Sequence, residues 1–496
     1  MTSQGQPSSY QLPRWTILSV TTLGAFMAAL DSNIVTIALP AISRGLTSGI
    51  SLLGWVITGY ALASAVLVIQ AGKLGDKYGK KKVYLTGFAV FGIASALCGM
   101  SLDAYQLVVF RVVQGLGASL LVATALPLVF ASFPPSERGQ AVGINSVAWA
   151  LGAVTGPIIG GVLTQIDWRL IFFVNVPVAS AAVLVGLKRI PQALDRRNDQ
   201  AGRLNLVNAT LLGLTVAVWI LWLTFFDARL VPVGAVTLAA FALAERSSKE
   251  PMLNRELIHN RGFVFSAVGL AVMQVAFLGI PFVMSFYFQS VAGFSPLMAG
   301  LWLAPLPVAI GIFNPIGGRV FDRLRRPALI SMMGALVVAG CVVGLSLALA
   351  SPTPGLYVAA LLAVAGVGGG FVWAPSISSG LKFSRPELRG VANGTTFTLI
   401  NVAFAASVAI VISVSAGALP PALVGEIYQG SVSGLTAAQA ALFGQGLARA
   451  LLALVVVGVV GIPILFLVAR EQAKSFRQYV EVPVQDERGK VGSRNG

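Results

Sequence analysis

The sequence predicts an all-α membrane protein with fourteen transmembrane helices, arranged as two six-helix bundles and an inserted two-helix hairpin. Of the 496 residues, 56% are hydrophobic and only 10% are charged, whereas roughly a quarter of the residues in soluble domains carry charge. The hydrophobic residues fall into blocks of about 18 to 27 residues, the length that a helix needs to cross a hydrocarbon core. Short motifs also recur, in the same order, in the two halves of the chain.

The apolar blocks and the breaks between them define the predicted helices. The first six helices lie near 15–39, 51–72, 83–101, 105–131, 140–163 and 170–187. An inserted pair lies near 204–226 and 230–244, between charged linkers at 188–203 and 245–261. The last six lie near 262–289, 296–318, 328–350, 355–381, 390–417 and 446–469. The predicted units are therefore an N-terminal bundle (1–187), the linkers with the inserted pair (188–261), a C-terminal bundle (262–470) and a tail (471–496).

The block at 230–244 is short for a span, since about 20 residues are usual. Both linkers beside the inserted pair are rich in Lys and Arg. They can lie on the same side of the membrane only if the chain crosses it twice between them, which predicts a hairpin. The first block runs from Trp15 without a small-residue cleavage site after it, so it reads as a retained helix and not as a signal peptide.

The net charge of +16 comes from Lys and Arg that cluster in alternate short loops, as the positive-inside rule expects. Topology therefore explains the charge without a nucleic-acid partner. The pattern predicts a multi-pass inner- or plasma-membrane protein with both termini in the cytoplasm. The exceptions among the 34 Lys and Arg are four on the outer side and one inside a helix: Arg44, Arg169, Arg229, Arg449 and Arg111.

Several features of enzymes and metalloproteins are missing from the sequence. Cys98 and Cys341 lie in separate apolar blocks, so they have neither disulfide nor metal-ligand spacing. The one histidine, His259, falls in a charged linker, and there is no Gly-Lys-Ser/Thr phosphate loop. We expect no enzymatic activity, no metal and no cofactor.

Two motifs repeat between the halves. Gly72-x-x-x-Asp76 with the basic run after it recurs as Gly318-x-x-x-Asp322, again followed by a basic run. Arg138-Gly-x-Ala-x-Gly likewise recurs from Arg389. Paired six-helix halves place a binding site between them near the membrane midplane, reached alternately from each side.

Four stretches of the chain resemble the major facilitator superfamily, specifically its fourteen-helix drug:proton antiporter branch. These stretches are Leu30–Pro40, Gly72–Lys81, Arg111–Gly115 and Gly152–Gly161. The resemblance implies the major facilitator fold and a monomer that exports small amphipathic or lipophilic compounds in exchange for protons, as in multidrug efflux and antibiotic resistance. The chain departs from relatives that export dications, because the helices of its second half carry no acidic residue.

The loop stretch resembles the signature of the superfamily. Gly72 and Gly79 permit close helix approach and a tight turn, and Asp76 can pair with cations such as Lys80 or with a facing helix N-terminus. We expect this loop to latch one conformation. A solvated basic loop that only sets topology is the alternative interpretation.

The Gly-Pro stretch resembles the antiporter signature of exporters. Its small residues let another helix pack closely, and its proline bends the helix axis. Ordinary helix packing is the alternative. The residues concerned are Gly152, Gly156, Pro157, Gly160 and Gly161.

Asp31 lies within a predicted span, where a charge is costly enough to indicate function. Arg111, at a similar depth and followed by Gln114 and Gly115, is its predicted partner. Burial disfavours the charged carboxylate, whereas a nearby guanidinium favours it. The resemblance implies that Asp31 is the proton or cation site, and a static ion pair is the alternative.

Other polar and aromatic residues within spans are candidates for a substrate cavity, although single ones also face lipid or bridge helices. They are Asn33, Tyr60, Gln70, Gln114, Asn145, Trp149, Gln274, Tyr287, Asn314, Trp373 and Asn401. The mechanism we expect is alternating access between the halves. The same fold also serves carriers of one metabolite, such as an amino acid, sugar or lipid precursor, and a non-transporting receptor or scaffold is a further alternative.

Overall fold

A computed structural model describes residues 14–134, 137–192, 204–248, 251–323, 327–349, 355–385, 388–424, 435–481, 484–485 and 491–492. Within them, 14 helices are long and apolar enough to cross a membrane. The predicted number of spans is confirmed. The short block at 230–244 is part of an 18-residue helix, Leu230–Ser247.

The first half of the chain forms seven helices that make six spans. They are α1 (Arg14–Leu46), α2 (Ile50–Tyr78), α3 (Lys80–Gly99), α4 (Ala104–Ser132), α5 (Arg138–Ile166), α6 (Leu170–Phe173) and α7 (Asn175–Arg189). The inserted pair is α8 (Leu206–Phe225) and α9 (Leu230–Ser247), followed by the short α10 (Arg255–His259). A predicted continuous helix at 170–187 is broken between α6 and α7, because Pro177 cannot donate a hydrogen bond to the carbonyl four residues earlier.

The second half again makes six spans. Its helices are α11 (Arg261–Phe286), α12 (Pro296–Leu303), α13 (Pro305–Arg323), α14 (Pro327–Ala348), α15 (Leu356–Lys382), α16 (Arg389–Gly417), α17 (Pro421–Val424) and α18 (Ala437–Glu481). A π-helical turn, Tyr287–Val291, extends α11, and two short strands, β1 (Val484–Gln485) and β2 (Val491–Gly492), pair antiparallel.

Two predicted helices in this half, at 296–318 and 446–469, differ most from the structure. The predicted helix at 296–318 is interrupted at Ala304, where Pro305 lacks a backbone donor. The last helix begins at Ala437 and not near 446, because alanine-rich sequence there continues the helix, and it ends at Glu481 and not near 469, inside the predicted tail.

The inserted pair lies against one seam between the two halves. Ile220 of α8 shares a buried cluster with Leu62 of α2 and with Ala405 and Ala409 of α16. Hydrogen bonds anchor the pair at one end: the backbone N–H of Asn205 donates to Gln70 Oε1 at 3.1 Å. The hairpin therefore contacts both halves, one through α2 and the other through α16.

One end of the bundle carries Lys77–Lys82, Lys188 and Arg189; we call it the basic face. At the opposite end, the halves are in contact. Ser285 Oγ donates to the Thr36 carbonyl, and Gln289 Nε2 donates to the Ile37 carbonyl, each at 2.8 Å. Toward the basic face, the halves separate around a cavity of about 1610 Å³. The protein is thus open at the basic face and closed at the other end.

Candidate functional site

A buried ion pair joins α1 and α4. Arg111 Nη1 lies 2.6 Å from Asp31 Oδ2, and the two side chains are 1% and 0% exposed. The predicted pairing of these residues is present. A buried pair of this kind is stable only when further hydrogen bonds satisfy the remaining donors and acceptors.

Further donors complete the shell around the carboxylate. Gln114 Nε2 and Asn175 Nδ2 each donate to Asp31 Oδ1 at 3.0 Å, and both also lie 3.2 Å from Ser95 Oγ. Hydrogen bonds to a charged acceptor are stronger than neutral ones, so these donors hold the Asp31 side chain in place.

The guanidinium of Arg111 is held equally tightly. Its Nε donates to the Val56 carbonyl at 3.0 Å, and its Nη1 donates to Gln114 Oε1 at 2.7 Å. The ring of Tyr60 covers it, with the guanidinium carbon 4.2 Å from the ring centroid. Loss of the Asp31 carboxylate would leave this cation buried without its counter-charge, which is strongly unfavourable.

Sequence reasoning missed Asn175 and Ser95 as members of this site. Asn175 was visible as an amide within an apolar block, the same signal that placed other amides among the candidates. Ser95 carried no signal, because serine is common in membrane helices.

A central cavity of about 310 Å³ lies between the halves. Four of the predicted cavity residues line it: Asn145 and Trp149 from α5, Asn314 from α13 and Trp373 from α15. Asn393 and Thr396 of α16 also line it and were not predicted. Ala28 of α1 lies at its wall, so Asp31, three residues further along, is about 4.5 Å deeper along the helix axis.

The other candidates do not line the central cavity in this conformation. Gln274 faces a small separate cleft within the second half. Asn33 and Asn401 donate to backbone carbonyls of their own helices. Gln70 accepts from Asn205, Tyr60 covers Arg111, and Tyr287 is fully buried. A polar residue in an apolar block says nothing about the direction in which its helix face points.

The signature loop combines a turn with an exposed ion pair. Gly79 has φ 102°, a conformation that favours glycine, and Asp76 lies 3.8 Å from Lys80. The predicted close approach at Gly72 is wrong, since a Cβ there would meet nothing within 4 Å. The close approach occurs at Gly75, where a Cβ would lie 2.7 Å from Thr124.

The second copies of the repeated motifs fall partly outside the described residues. The side chains at 321–328, which include Asp322 and the basic run after it, are among those not described, as are the side chains at 389–390 and at 139.

The glycines of the Gly-Pro stretch lie at two helix contacts. Gly152, Gly156 and Gly160 face α1, where added Cβ atoms would meet backbone or side-chain atoms of Phe26, Asn33 and Ile37. Gly161 instead faces α12 of the other half, with Leu297 Cα 2.7 Å from the position of its Cβ. Pro157 lies inside α5, and its carbonyl oxygen contacts Gly300.

Gly115 also permits close helix packing, here between α4 and α2. A Cβ at Gly115 would lie 2.5 Å from the Tyr60 carbonyl.

Comparison with known proteins assigns the family. The family model of the Major Facilitator Superfamily matches residues 21–408. This chain belongs to the major facilitator superfamily. With its 14 candidate spans, it fits the fourteen-helix branch of that superfamily, and it is a membrane transporter.

Curated members of the major facilitator superfamily are similar over most of the chain. A puromycin resistance protein of Streptomyces alboniger is 33% identical over 468 residues, 90% of this chain and 91% of that protein. A riboflavin transporter of Clostridioides difficile is 30% identical over 400 residues, 79% of this chain and 86% of that protein. The fold also matches an inward-facing, unoccupied crystal structure of a bacterial homologue of the human lysosomal transporter Spinster, with a TM-score of 0.65 at 18% identity, covering 94% and 98% of the two chains.

Proposed function

We propose that the protein is a proton-coupled antiporter that exports small amphipathic or lipophilic compounds. The observation that carries the proposal is the Asp31 carboxylate, the one fully buried acidic side chain among the described residues. The similarity to a puromycin resistance protein supports export of foreign compounds.

The orientation follows from the loops. Because the basic face carries the Lys-rich loops, the positive-inside rule assigns it to the cytoplasm, together with both termini. The large cavity then opens to the cytoplasm, where an exporter collects its cargo. The host membrane in this proposal is the plasma membrane.

Coupling in this proposal runs through α1 and α4. In the conformation open at the basic face, Asp31 pairs with Arg111, while the cargo cavity begins at Ala28, about 4.5 Å away along the helix axis. Once the protein opens to the outside, a proton from that side neutralises Asp31 and leaves Arg111 without its counter-charge, which favours a different packing of the two helices. The proton gradient then drives export of the cargo, because proton and cargo each bind the two conformations unequally.

Reconstituted proteoliposomes with an imposed pH gradient test this proposal. We expect Asp31→Asn to abolish gradient-driven export and to leave downhill exchange of a neutral compound. Because this variant leaves Arg111 unpaired at a cost of about 3 to 5 kcal/mol, the control is the double variant Asp31→Asn with Arg111→Gln, which should recover stability without coupling. A well-folded Asp31→Asn protein that still concentrates cargo would overturn the proposal.

A second candidate function is the transport of one specific metabolite, which the similarity to a riboflavin transporter favours. Thermal unfolding with a panel of ligands separates the two candidates. Weak stabilisation by many unrelated lipophiles supports the drug exporter, whereas one sharp response supports the specific carrier.

A further inference from the structure

The central cavity is uncharged and has hydrogen-bond donors that the protein does not use. None of its described lining residues is Asp, Glu, Lys, Arg or His. We propose that the cargo of this transporter is an uncharged, planar aromatic molecule with carbonyl groups, bound between Trp149 and Trp373 and accepting hydrogen bonds from Asn145 and Asn314. This inference rests on the proposed export function and specifies its substrate class.

The two tryptophans come from opposite halves of the protein, and each offers the face of its indole ring to an aromatic ligand. Trp149 is 38% exposed and Trp373 is partly buried, and both line the cavity. Other tryptophans of the described chain, such as Trp15, Trp168 and Trp302, pack against phenylalanines. Trp149 and Trp373 have no such aromatic neighbour within the described residues. A planar ligand can therefore stack on them without displacing a protein ring.

The asparagines supply unused donors. Asn314 Oδ1 accepts from the backbone N–H of Ala374 at 3.1 Å, which fixes the amide orientation and leaves its Nδ2 group available. Asn145 Nδ2 is buried and has no hydrogen-bond partner in the described part of the chain. A buried donor without a partner is costly, and a ligand carbonyl would relieve that cost.

The hydroxyl groups of the cavity are already committed to the protein backbone. Ser146 and Thr396 donate to carbonyls of their own helices, and Tyr84 donates to the carbonyls of α1. The amide groups are thus the donors that remain, and amide N–H groups bind carbonyl oxygens and repel cations.

The uncharged lining of the cavity also favours a neutral cargo. A cation in this cavity would lose its hydration without gaining a counter-charge, which is unfavourable. The nearest buried carboxylate, Asp31, is 0% exposed and accepts from Arg111, Gln114 and Asn175. Indole faces attract cations as well as neutral rings, so the tryptophans alone do not select between a cationic and a neutral cargo. The amide N–H groups and the lack of a carboxylate in the described lining favour the neutral one.

The test is equilibrium binding to the purified full-length protein, with probes that share one ring system. Phenanthridinone is neutral and has a carbonyl group, ethidium is a cation, and phenanthrene has neither charge nor acceptor. We expect phenanthridinone to bind at least about tenfold tighter than either of the other two probes. Compared with phenanthrene it gains one neutral hydrogen bond, and compared with ethidium it avoids the desolvation of a charge; each difference contributes about that factor.

Three variants and one control variant refine the test. Asn145→Leu and Asn314→Leu should each weaken phenanthridinone about tenfold and leave phenanthrene unchanged. Asn145→Asp, nearly the same size, should instead strengthen ethidium by about tenfold or more, because a carboxylate forms a stronger interaction with a cation. Asn401→Leu, on α16 but outside the cavity lining, is the matched control and should change none of the affinities.

Equal affinity for phenanthridinone and ethidium, or no binding of either, would overturn the inference, as would an Asn145→Asp protein that gains nothing for ethidium. The proposed function fails or stands separately. Gradient-driven export of ethidium by the native protein would support proton-coupled export while refuting the neutral substrate class. Selective binding of phenanthridinone without gradient-driven movement would do the reverse.

Discussion

Asn175 Nδ2 lies 3.0 Å from Asp31 Oδ1, although the two residues are 144 positions apart in the chain. The contact ties α7 to the carboxylate on α1, so three side chains from two helices hold one buried charge. The hydrogen-bonded shell around Asp31 therefore extends beyond the Asp31–Arg111 pair.

We expect Asn175→Leu to destabilise the protein by about 1 to 3 kcal/mol, because it removes a donor from a buried charged acceptor. Denaturant or thermal unfolding in detergent measures the effect. Asn33→Leu is the matched control, since Asn33 donates only to the carbonyl of Ala29 on its own helix. Equal losses in the two variants would mean that the Asn175 contact does not contribute to holding Asp31.

The existence of most helices followed from the sequence, because block length and the loop charges reflect the membrane itself. Helix breaks were less visible. The interruption at Ala304 has a local signal in Pro305, but prolines elsewhere, such as Pro157 and Pro463, lie inside continuous helices. Whether a proline breaks a membrane helix depends on neighbouring groups that satisfy the freed carbonyl, and these come from tertiary packing.

The cavity was predicted only in part, for a related reason. Helices in a multi-span bundle are apolar on nearly every side, so the hydrophobic pattern does not identify the inner face. Asn145 and Gln70 therefore look alike in the sequence, yet Asn145 lines the cavity and Gln70 anchors the inserted pair through Asn205. Distinguishing them requires the packing of α2 against α8.

The position of the inserted pair predicts the accessibility of its connecting loop. Ala228, exposed between α8 and α9, lies at the end opposite the basic face, so a cysteine at Ala228 should react with a membrane-impermeant reagent applied outside cells. A cysteine at Ile258, 46% exposed near the basic face, should react only after permeabilisation. Cys98 and Cys341 are buried and give little background. Reaction of the Ala228 cysteine only after permeabilisation would show that the proposed orientation is inverted or that the pair does not cross.

Gly300 lies against the Pro157 carbonyl where the two halves are in contact, and we expect this close approach to hold the closed end. Gly300→Val should push α12 away from α5 and favour the conformation open at the other end. A reporter cysteine at Ser146, which lines the cavity, measures the shift by its reactivity from each side in oriented vesicles. Labelling from the basic face should fall and labelling from the opposite side should rise.

Gly340→Val is the control for this experiment, because a Cβ at Gly340 meets nothing within 4 Å. It should leave the labelling as in the native protein. If Gly300→Val and Gly340→Val give the same labelling pattern, the α5–α12 contact does not hold the closed end.

The signature loop is predicted to affect the transport rate and not the stability of the protein. Asp76 and Lys80 form an exposed pair at 3.8 Å, and such pairs contribute only about 0 to 1 kcal/mol to stability. Asp76→Ala should therefore leave insertion and unfolding temperature unchanged. If the loop latches one conformation, the same variant should still lower the transport rate by about tenfold or more, since a loss of about 1.4 kcal/mol from one state changes its population by that factor.

Glu137→Ala is the control. It removes another carboxylate, which pairs with Arg14 at 2.9 Å, and the variant protein should transport at the native rate. A native transport rate for Asp76→Ala would mean that the loop serves only as a topology signal. An equal loss of transport rate in both variants would mean that the charge of that end of the protein, and not the latch, causes the effect.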